Sequence, residues 1–196
     1  MPFKVRCRVA AFLGKDAEKF PCGFKYKIGD EFIFDGEQFI GRVCPYFLKS
    51  ALPVITAISI AGNKYCERHY LRYVFREPGV QDAEEAARVR AGLPPQTERG
   101  RGLGYACPDP RTIGYFAIEP VGLVESGITY QRQMSIVEKV NNEPGLTPEE
   151  ILNRFSRQER EKAPLLHRTL VEIMMEELAD ANYIELKERR AYPKSS

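Results

Sequence analysis

The chain has 196 residues, of which 43% are hydrophobic and 29% are charged, and its net charge is +2. This is the composition of a globular protein with one large domain, or with one medium and one small domain. A net charge so close to zero gives no overall reason to expect a nucleic-acid, membrane-surface or acidic partner.

The cysteines and the apolar segments indicate a cytoplasmic protein with reduced thiols. The chain has five cysteines, an odd number and too few for a disulfide scaffold. Charges interrupt the N-terminal stretch MPFKVRCRVAAFLG, which therefore lacks the apolar core of a secretory signal. The most apolar run, ALPVITAISIAG, is too short to cross a bilayer. We therefore expect no membrane association.

The first part of the chain, about residues 1–128, has mainly strand patterns. In FKVRCRVAAFL, apolar Phe3, Val5, Cys7 and Val9 alternate with basic residues, which predicts a half-buried strand with Cys7 on its apolar face. EFIF predicts a second strand between two turns, and TIGYFAIEPVGLV predicts the strand that closes the domain. SALPVITAISIAG fits either a buried helix or a buried strand.

An insert interrupts this domain at about residues 79–104. VQDAEEAARVRAGL is a candidate for a short charged helix, and PPQTERGRGLG is rich in proline, glycine and charge. These features predict a long surface loop or flap.

The last part of the chain, residues 130–196, has helical patterns and a predicted β-hairpin. We expect Met134, Val137 and Val140 on one helix face, with Ile136 flanking it. Thr147, Pro148 and Glu150 have the spacing of a helix N-cap, first turn and capping box.

A third predicted helix, APLLHRTLVEIMMEELADA, precedes NYIEL-KERR-AYP, which indicates strand, turn and strand. Its apolar residues recur at helical spacing: Leu166, Leu170, Ile173, Met174 and Leu178. Three helices followed by a hairpin resemble a winged-helix domain. We therefore predict an α+β protein, with a β-rich N-terminal domain and a C-terminal winged-helix-like domain.

DNA binding by the C-terminal domain is an alternative that its charge does not favour. From Gln131 to Ser196 there are 11 Lys or Arg and 12 Asp or Glu residues, a net charge of −1. A DNA-reading winged helix needs a basic surface. The candidate contacts lie at the start of the third helix and in the wing: His167, Arg168, Lys187, Arg189 and Arg190. Otherwise these residues are solvated, and the domain dimerises or binds a partner protein.

Three cysteines share a setting at turns, because each lies next to a proline. They are Cys22 in FPCGF, Cys44 in VCPYF and Cys107 in ACPDP. Proline stiffens a turn, and the amide of Tyr46 or Asp109 remains available to hydrogen-bond a sulfur. Zinc or an iron–sulfur cluster is a possible cofactor, held by the candidate ligands Cys22, Cys44, Cys107, Cys66 and His69.

The spacing of the cysteines weighs against a metal site. Dedicated zinc sites usually take two ligands from one short loop, whereas here no two cysteines are closer than 15 positions. We therefore favour ordinary buried cysteines over metal ligands.

The stretch YCERHYLR raises two other possibilities. Cys66 and His69 share a face if the stretch is helical, which would suit a reactive thiol. Arg68, Arg72 and Tyr70 could line an anionic ligand pocket or form a solvated edge. No pattern here reaches the specificity of a catalytic motif, and we assign no catalytic residue.

Residues 3–120 resemble a family of small uncharacterised bacterial and archaeal repeat proteins with Cys-Pro motifs. The similarity is carried by FPCGFKYKIGDEF, GRVCPYFLKSALPVITAISIAG and ACPDPRTIGYFAIEP, and depends on Cys22, Gly29, Cys44, Pro45, Gly62, Cys107 and Asp109. The resemblance implies a small β-rich domain and supplies no established activity. The insert and the helical C-terminal domain depart from the family pattern.

The leading hypothesis is non-enzymatic. The N-terminal domain binds a small ligand or a metal through its cysteine-bearing loops, and the C-terminal domain mediates homodimerisation or binding of a partner protein. The alternatives are an enzyme or enzyme subunit with a cysteine-based metal or redox centre, and a winged-helix DNA-binding regulator.

Overall fold

A computed structural model describes residues 2–12, 19–68 and 103–194, with the backbone alone described for residues 66–68. The chain divides into two compact units, Phe3–Gly122 and Leu123–Ser196. The fold is α+β, as expected from the sequence, with an antiparallel five-stranded sheet in the N-terminal unit. None of the helices in the described part has the length and hydropathy needed to cross a bilayer.

The sheet of the N-terminal unit has the strand order β3-β2-β1-β5-β4, which places β1 at its centre. The strands are β1 (Phe3–Phe12), β2 (Glu31–Phe34), β3 (Phe39–Ile40), β4 (Leu103–Ala106) and β5 (Gly114–Leu123). In the β1–β2 register Cys7 lies opposite Phe32, and in the β4–β5 register Tyr105 lies opposite Phe116. The predictions of β1, β2 and β5 are confirmed.

The alternation predicted for β1 is present in full. Every second residue from Phe3 to Ala11 is buried, while the residues between them are half-exposed. Cys7 is completely buried, and burial raises the pKa of its thiol above the ordinary value of 9.0. Cys7 is therefore a core residue, as its place on the apolar face predicted.

The apolar run after Cys44 is a helix, which settles the choice that periodicity left open. Helix α1 (Pro45–Ala61) is followed directly by α2 (Asn63–Arg68). Pro45 occupies the first turn, where proline loses no hydrogen bond. Gly62 ends α1 at a positive φ of 56°, and a Cβ there would lie 2.7 Å from the Phe3 ring. Glycine is required there for both conformation and space.

One face of α1 covers the sheet and forms the core with it. Phe47, Ala51, Ile55 and Ile58 are fully buried in a cluster that includes residues of β1, β2, β4 and β5. The ring of Phe47 stacks on Phe116 at 3.8 Å between centroids. A helix and a sheet pack in this way because each has one apolar face to bury.

The strand β4 was not predicted from the sequence. It begins at Leu103, within the last residues assigned to the insert of about 79–104. The short LGYA segment contains one glycine and one alanine, which weaken a strand signal, but its pairing with β5 compensates for this. The rest of the insert lies outside the described residues.

The C-terminal unit contains four helical segments in its described part, rather than the three predicted. They are α3 (Gly127–Asn142), α4 (Pro148–Asn153), α5 (Arg157–Glu161) and α6 (Arg168–Asp180), followed by β6 (Ile184–Lys187) and β7 (Arg190–Pro193). The added segment is α5, a single turn with no buried residue. It has no apolar face, so its pattern gave no helical signal.

Capping boxes begin both α4 and α5. The Thr147 hydroxyl accepts from the amide of Glu150, whose carboxylate accepts from the Thr147 amide, as predicted. Ser156 and Glu159 form the same reciprocal pair at α5, which the sequence analysis missed. Each box satisfies two amides that a helix start leaves without intrahelical partners.

The buried faces of two helices differ from the prediction. In α3 the buried apolar residues are Ile136 and Val140, while Met134 and Val137 are half-buried. In α6, Val171 and Met175 are buried, whereas Ile173 is 46% exposed. Val140 of the first predicted helix and Leu166, Met174 and Leu178 of the third are buried as expected. The predictions are wrong at flanking positions, because apolar residues border the buried stripe on both sides.

The predicted C-terminal hairpin is confirmed. Its two turn residues, Glu188 and Arg189, have positive φ angles of 51° and 62°. This conformation is typical of the tight two-residue turns that match the twist of antiparallel strands. Ala191 of β7 also forms an isolated antiparallel bridge with Leu146, the residue before the Thr147 cap.

Candidate functional site

Three of the cysteines singled out in the sequence line one cavity of the N-terminal unit, with a volume of about 520 Å³. Cys22 comes from the loop before β2, Cys44 precedes α1, and Cys107 follows β4. All three are half-buried and none forms a disulfide. The fold therefore brings together thiols that are at least 22 positions apart in the chain.

Cys22 and Cys44 are positioned by backbone hydrogen bonds at their turns. The carbonyl of Cys22 accepts from the amide of Lys25 at 2.7 Å, in a turn where Lys25 has a positive φ. Cys44 is the N-cap residue of α1, and its carbonyl accepts the first helical bond, from Leu48. Its amide donates to the hydroxyl of Tyr26 at 3.0 Å. These bonds hold Cys44 at the start of α1 and Cys22 beside a hydrogen-bonded turn of its loop.

Cys107 sits in a tight connection between β4 and β5. Its amide donates to the carbonyl of Gly114 at 2.7 Å, and the amide of Asp109 donates to its sulfur. The latter is one of the two amide contacts that the Cys-Pro pattern suggested. The Asp109 carboxylate accepts from the amide of Arg111 at 3.0 Å, which closes the turn.

Aromatic rings form most of the apolar wall. They are Phe12, Phe24, Tyr26, Tyr46, Phe47 and Phe116. Phe24 and Tyr26 have their centroids 4.9 Å apart, and Tyr26 meets Phe116 edge-on at 5.7 Å. The guanidinium of Arg42 lies 4.9 Å from the Phe24 centroid and donates to the Phe24 carbonyl at 2.7 Å. The cavity is thus built on packed rings with their own supporting contacts.

Burial favours the neutral forms of Cys107 and Tyr26 on the cavity wall. Burial raises the pKa of the Cys107 thiol, the Asp109 amide opposes this, and the charges of Cys44, Asp109 and Cys22 add to the rise. The pKa of Tyr26 is raised to about 12, chiefly by burial. Cys107 is therefore a neutral thiol near pH 7, which is the opposite of an activated nucleophile.

The described residues do not form a complete metal site. No group of three or more His, Cys, Asp or Glu side chains among them has an arrangement that could hold a metal ion. The two remaining candidate ligands cannot complete the set here, since the side chain of Cys66 and all of His69 lie outside the described residues. The zinc and iron–sulfur hypotheses remain predictions.

The predicted anion pocket also falls outside this description. Arg68 ends α2, but its side chain is not among the described ones, and Tyr70 and Arg72 lie beyond the described residues.

The five candidate nucleic-acid contacts are spread over the C-terminal unit and most have structural partners. His167 is the N-cap of α6, where Nδ1 accepts from the Leu170 amide at 3.4 Å. Lys187 pairs with Glu185 at 2.9 Å. Arg190 donates to the Gly145 carbonyl at 2.7 Å. Arg168 and Arg189 are exposed, at the start of α6 and at the hairpin turn.

The aromatic wall of the cavity was not predicted from the sequence. Tyr26 was not singled out, although its hydroxyl links two segments by donating to the Arg42 carbonyl at 2.6 Å and accepting from the Cys44 amide. Its proximity to Cys22 in FPCGFKY was a usable signal, because aromatic residues beside a candidate loop often line its pocket.

Comparisons with known proteins add no relative. The chain matches no family model, no curated protein and no solved structure.

Proposed function

We propose that the N-terminal unit binds a small, largely apolar ligand in the thiol-lined cavity, and that this protein is a ligand-binding protein rather than an enzyme. The observation that carries the proposal is the convergence of Cys22, Cys44 and Cys107 on one cavity with aromatic walls. Apolar walls with a few converging polar groups are typical of small-molecule sites.

The size and charge of the cavity favour an organic ligand over a bare ion. A volume of about 520 Å³ is within the usual range for small-molecule pockets and far exceeds the space that one ion needs. The neutral Cys107 thiol also gives less support to the alternative of an enzyme with a cysteine-based metal or redox centre.

The resemblance to the Cys-Pro repeat family is consistent with this proposal. Five of the residues on which the resemblance depends line the cavity: Cys22, Cys44, Pro45, Cys107 and Asp109. If the resemblance reflects common descent, ligand binding at this cavity is a property to look for in the family. The free cysteines agree with a cytoplasmic location, which we also propose.

For the C-terminal unit we propose a winged-helix-like domain that mediates homodimerisation or binding of a partner protein. The order of helices and hairpin supports this fold, as does the bridge between Leu146 and Ala191, which adds a third short strand position beside the hairpin. Leu165 and Ile173, which are 61% and 46% exposed, offer apolar surface for a protein partner.

DNA binding is the weaker proposal for this unit. The exposed side of α6 combines Arg168 with the acidic Glu176, and Lys187 and Arg190 are engaged within the unit. A surface of this kind lacks the run of free basic side chains that neutralises phosphates.

Ligand binding can be tested with 8-anilinonaphthalene-1-sulfonate, an aromatic probe whose fluorescence rises in apolar surroundings. The wild-type chain should bind it at one site. In the variant Gly23→Trp the new side chain starts from open space on the cavity wall, because a Cβ at Gly23 meets nothing within 4 Å. This side chain should weaken binding of the probe by at least about tenfold.

The matched control places the same side chain elsewhere. Lys49→Trp adds tryptophan at an exposed position of α1 that does not line the cavity, and should leave probe binding unchanged. Equal binding by both variants, or no saturable binding by the wild type, would contradict the proposal.

The role of the C-terminal unit is tested by the assembly state of the full chain. Sedimentation velocity should show a dimer that Ile173→Glu shifts towards the monomer. If the chain remains a monomer and instead binds duplex DNA with an affinity that falls steeply with salt, the regulator hypothesis replaces this one.

A further inference from the structure

The cavity wall has three thiols, and several of its oxygen groups already have partners within the protein. The Tyr26 hydroxyl donates to the Arg42 carbonyl and accepts from the Cys44 amide. The Thr112 hydroxyl donates to the Phe20 carbonyl, and the Asp109 carboxylate accepts from the Arg111 amide. Apart from the exposed Arg111 and the Tyr46 hydroxyl, a ligand in this cavity therefore meets mainly sulfur and aromatic carbon.

Sulfur and aromatic carbon select a particular chemistry. Thiols bind soft, polarisable atoms in preference to hard ones. The six aromatic rings on the wall favour an apolar group. A bare ion would leave most of the volume of about 520 Å³ unfilled, and the described side chains offer it no three-ligand arrangement.

We propose that the cavity captures a soft, thiol-seeking atom that carries an organic group, of the class of monosubstituted trivalent arsenicals, through bonds to Cys44 and Cys107. The proposal rests on the proposed function, because it names the ligand class of the same cavity. Two thiols suffice for such an atom, since its third bond is to the organic group, which occupies the aromatic part of the cavity.

The chemistry of capture is balanced without an oxidant. In water the organic arsenic(III) oxide is hydrated and carries two hydroxyl groups. In each exchange one S–H bond and one As–O bond break, one As–S bond forms, and the proton leaves with the hydroxide as water. Two such exchanges attach the arsenic to both sulfurs, arsenic stays trivalent throughout, and the cavity gains no net charge.

Cys44 and Cys107 are the preferred pair for two reasons. Both lie directly beside an ordered element, Cys44 as the N-cap of α1 and Cys107 immediately after β4, whereas Cys22 lies in a loop. Of the two other thiols, Cys44 contributes more than Cys22 to the raised pKa of Cys107. Cys22 then lies at the side of the bound group and makes no bond to it.

The test is a titration of the reduced full chain with phenylarsine oxide and with inorganic arsenite. Phenylarsine oxide should bind once, consume two thiols, and be mapped by peptide mass spectrometry to Cys44 and Cys107. Its affinity should exceed that of arsenite by at least about tenfold, because only the phenyl group contacts the rings. Equal affinities, or arsenic mapped to Cys7 or Cys66, would overturn the proposal.

Single-serine variants provide the matched comparison. Cys44→Ser and Cys107→Ser should each weaken the binding of phenylarsine oxide by at least about a hundredfold. In each variant the second As–S bond no longer forms within the same protein molecule. Lys49→Ser, at an exposed position of α1 that does not line the cavity, should stay within about threefold of the wild type. Circular dichroism checks that each variant is folded, and the thiol count and peptide map of the wild type test the proposal even if a variant is not.

The naphthalene probe separates this proposal from the one on which it rests. Binding of 8-anilinonaphthalene-1-sulfonate that is sensitive to Gly23→Trp, without capture of phenylarsine oxide, would refute the arsenical class and leave ligand binding intact. Loss of both would refute the cavity as a ligand site. Capture by two thiols that also displaces the probe supports both.

Discussion

The two units of this protein differ in how far apart in the sequence their interacting residues lie. In the N-terminal unit the cavity joins Cys22, Cys44 and Cys107, which come from three separate segments. In the C-terminal unit the clearest polar contacts are local, as in the capping boxes of Thr147 with Glu150 and Ser156 with Glu159. The difference shows that a cavity lined by distant segments requires the assembled fold, whereas helix starts are specified by four neighbouring residues.

The largest expected effect is at the centre of the N-terminal core. Phe47→Ala removes a fully buried ring that stacks on Phe116, and should lower the free energy of unfolding of that unit by about 3–5 kcal/mol. Hydrogen exchange measured by mass spectrometry should speed up most in β1 and β5. Lys49→Ala, at an exposed position of the same helix, should change stability by less than about 0.5 kcal/mol.

A buried arginine of the C-terminal unit makes long-range contacts that test whether local signals suffice there. Arg132 is 4% exposed, and its guanidinium donates to the carbonyls of Pro164, Glu159 and Lys162. Arg132→Ala leaves these acceptors without that donor, and should cost about 3 kcal/mol in a urea titration.

Two further variants give that comparison its controls. Arg132→Lys should recover only part of the loss, because an ammonium group lacks the planar fork that serves several carbonyls. Arg157→Ala removes an exposed arginine paired with Glu161 and should cost less than about 0.5 kcal/mol. Equal costs for Arg132→Ala and Arg157→Ala would mean that local contacts alone organise the unit.

Alkaline pH should act mainly on the N-terminal unit. The pKa of Cys7 is raised by burial above its ordinary value of 9.0, and that of Tyr26 is raised from 10.0 to about 12. The unfolded chain therefore loses these protons first, so that the stability they contribute is complete below about pH 9 and is lost as pH rises. Each group adds a slope of up to about 1.4 kcal/mol per pH unit.

This pH dependence is measured as the free energy of unfolding between pH 9 and pH 11. Cys7→Ala should lower stability at every pH because a buried side chain is truncated, but should make the alkaline slope shallower. An unchanged slope would show that Cys7 does not contribute to the alkaline loss.

The smallest expected effect tests the local signal itself. Thr147→Ala removes the side-chain acceptor of the α4 capping box and should cost about 1 kcal/mol of stability in the C-terminal unit. Thr169→Ala, at an exposed position of α6, is the matched control and should be nearly neutral. A neutral Thr147→Ala would mean that tertiary contacts alone hold the start of α4.

Several features were predictable because they depend on short-range rules. The alternation in β1, the core position of Cys7, the cap at Thr147 and the C-terminal hairpin follow from periodicity and from local hydrogen bonding. The α5 turn and β4 were missed for the complementary reason. A short element without an apolar pattern is stabilised by its neighbours, which a local pattern does not reveal.

The sequence by itself determined the α+β class and the strand β1. It also singled out three proline-adjacent cysteines as candidate site residues. Only the tertiary structure decided that these cysteines line one cavity, that α1 is a helix, and that Tyr26, Phe47 and Phe116 belong to the same wall. The physical reason is that periodicity and capping act over one or two turns of chain. The meeting of distant loops depends instead on how the helix packs on the sheet.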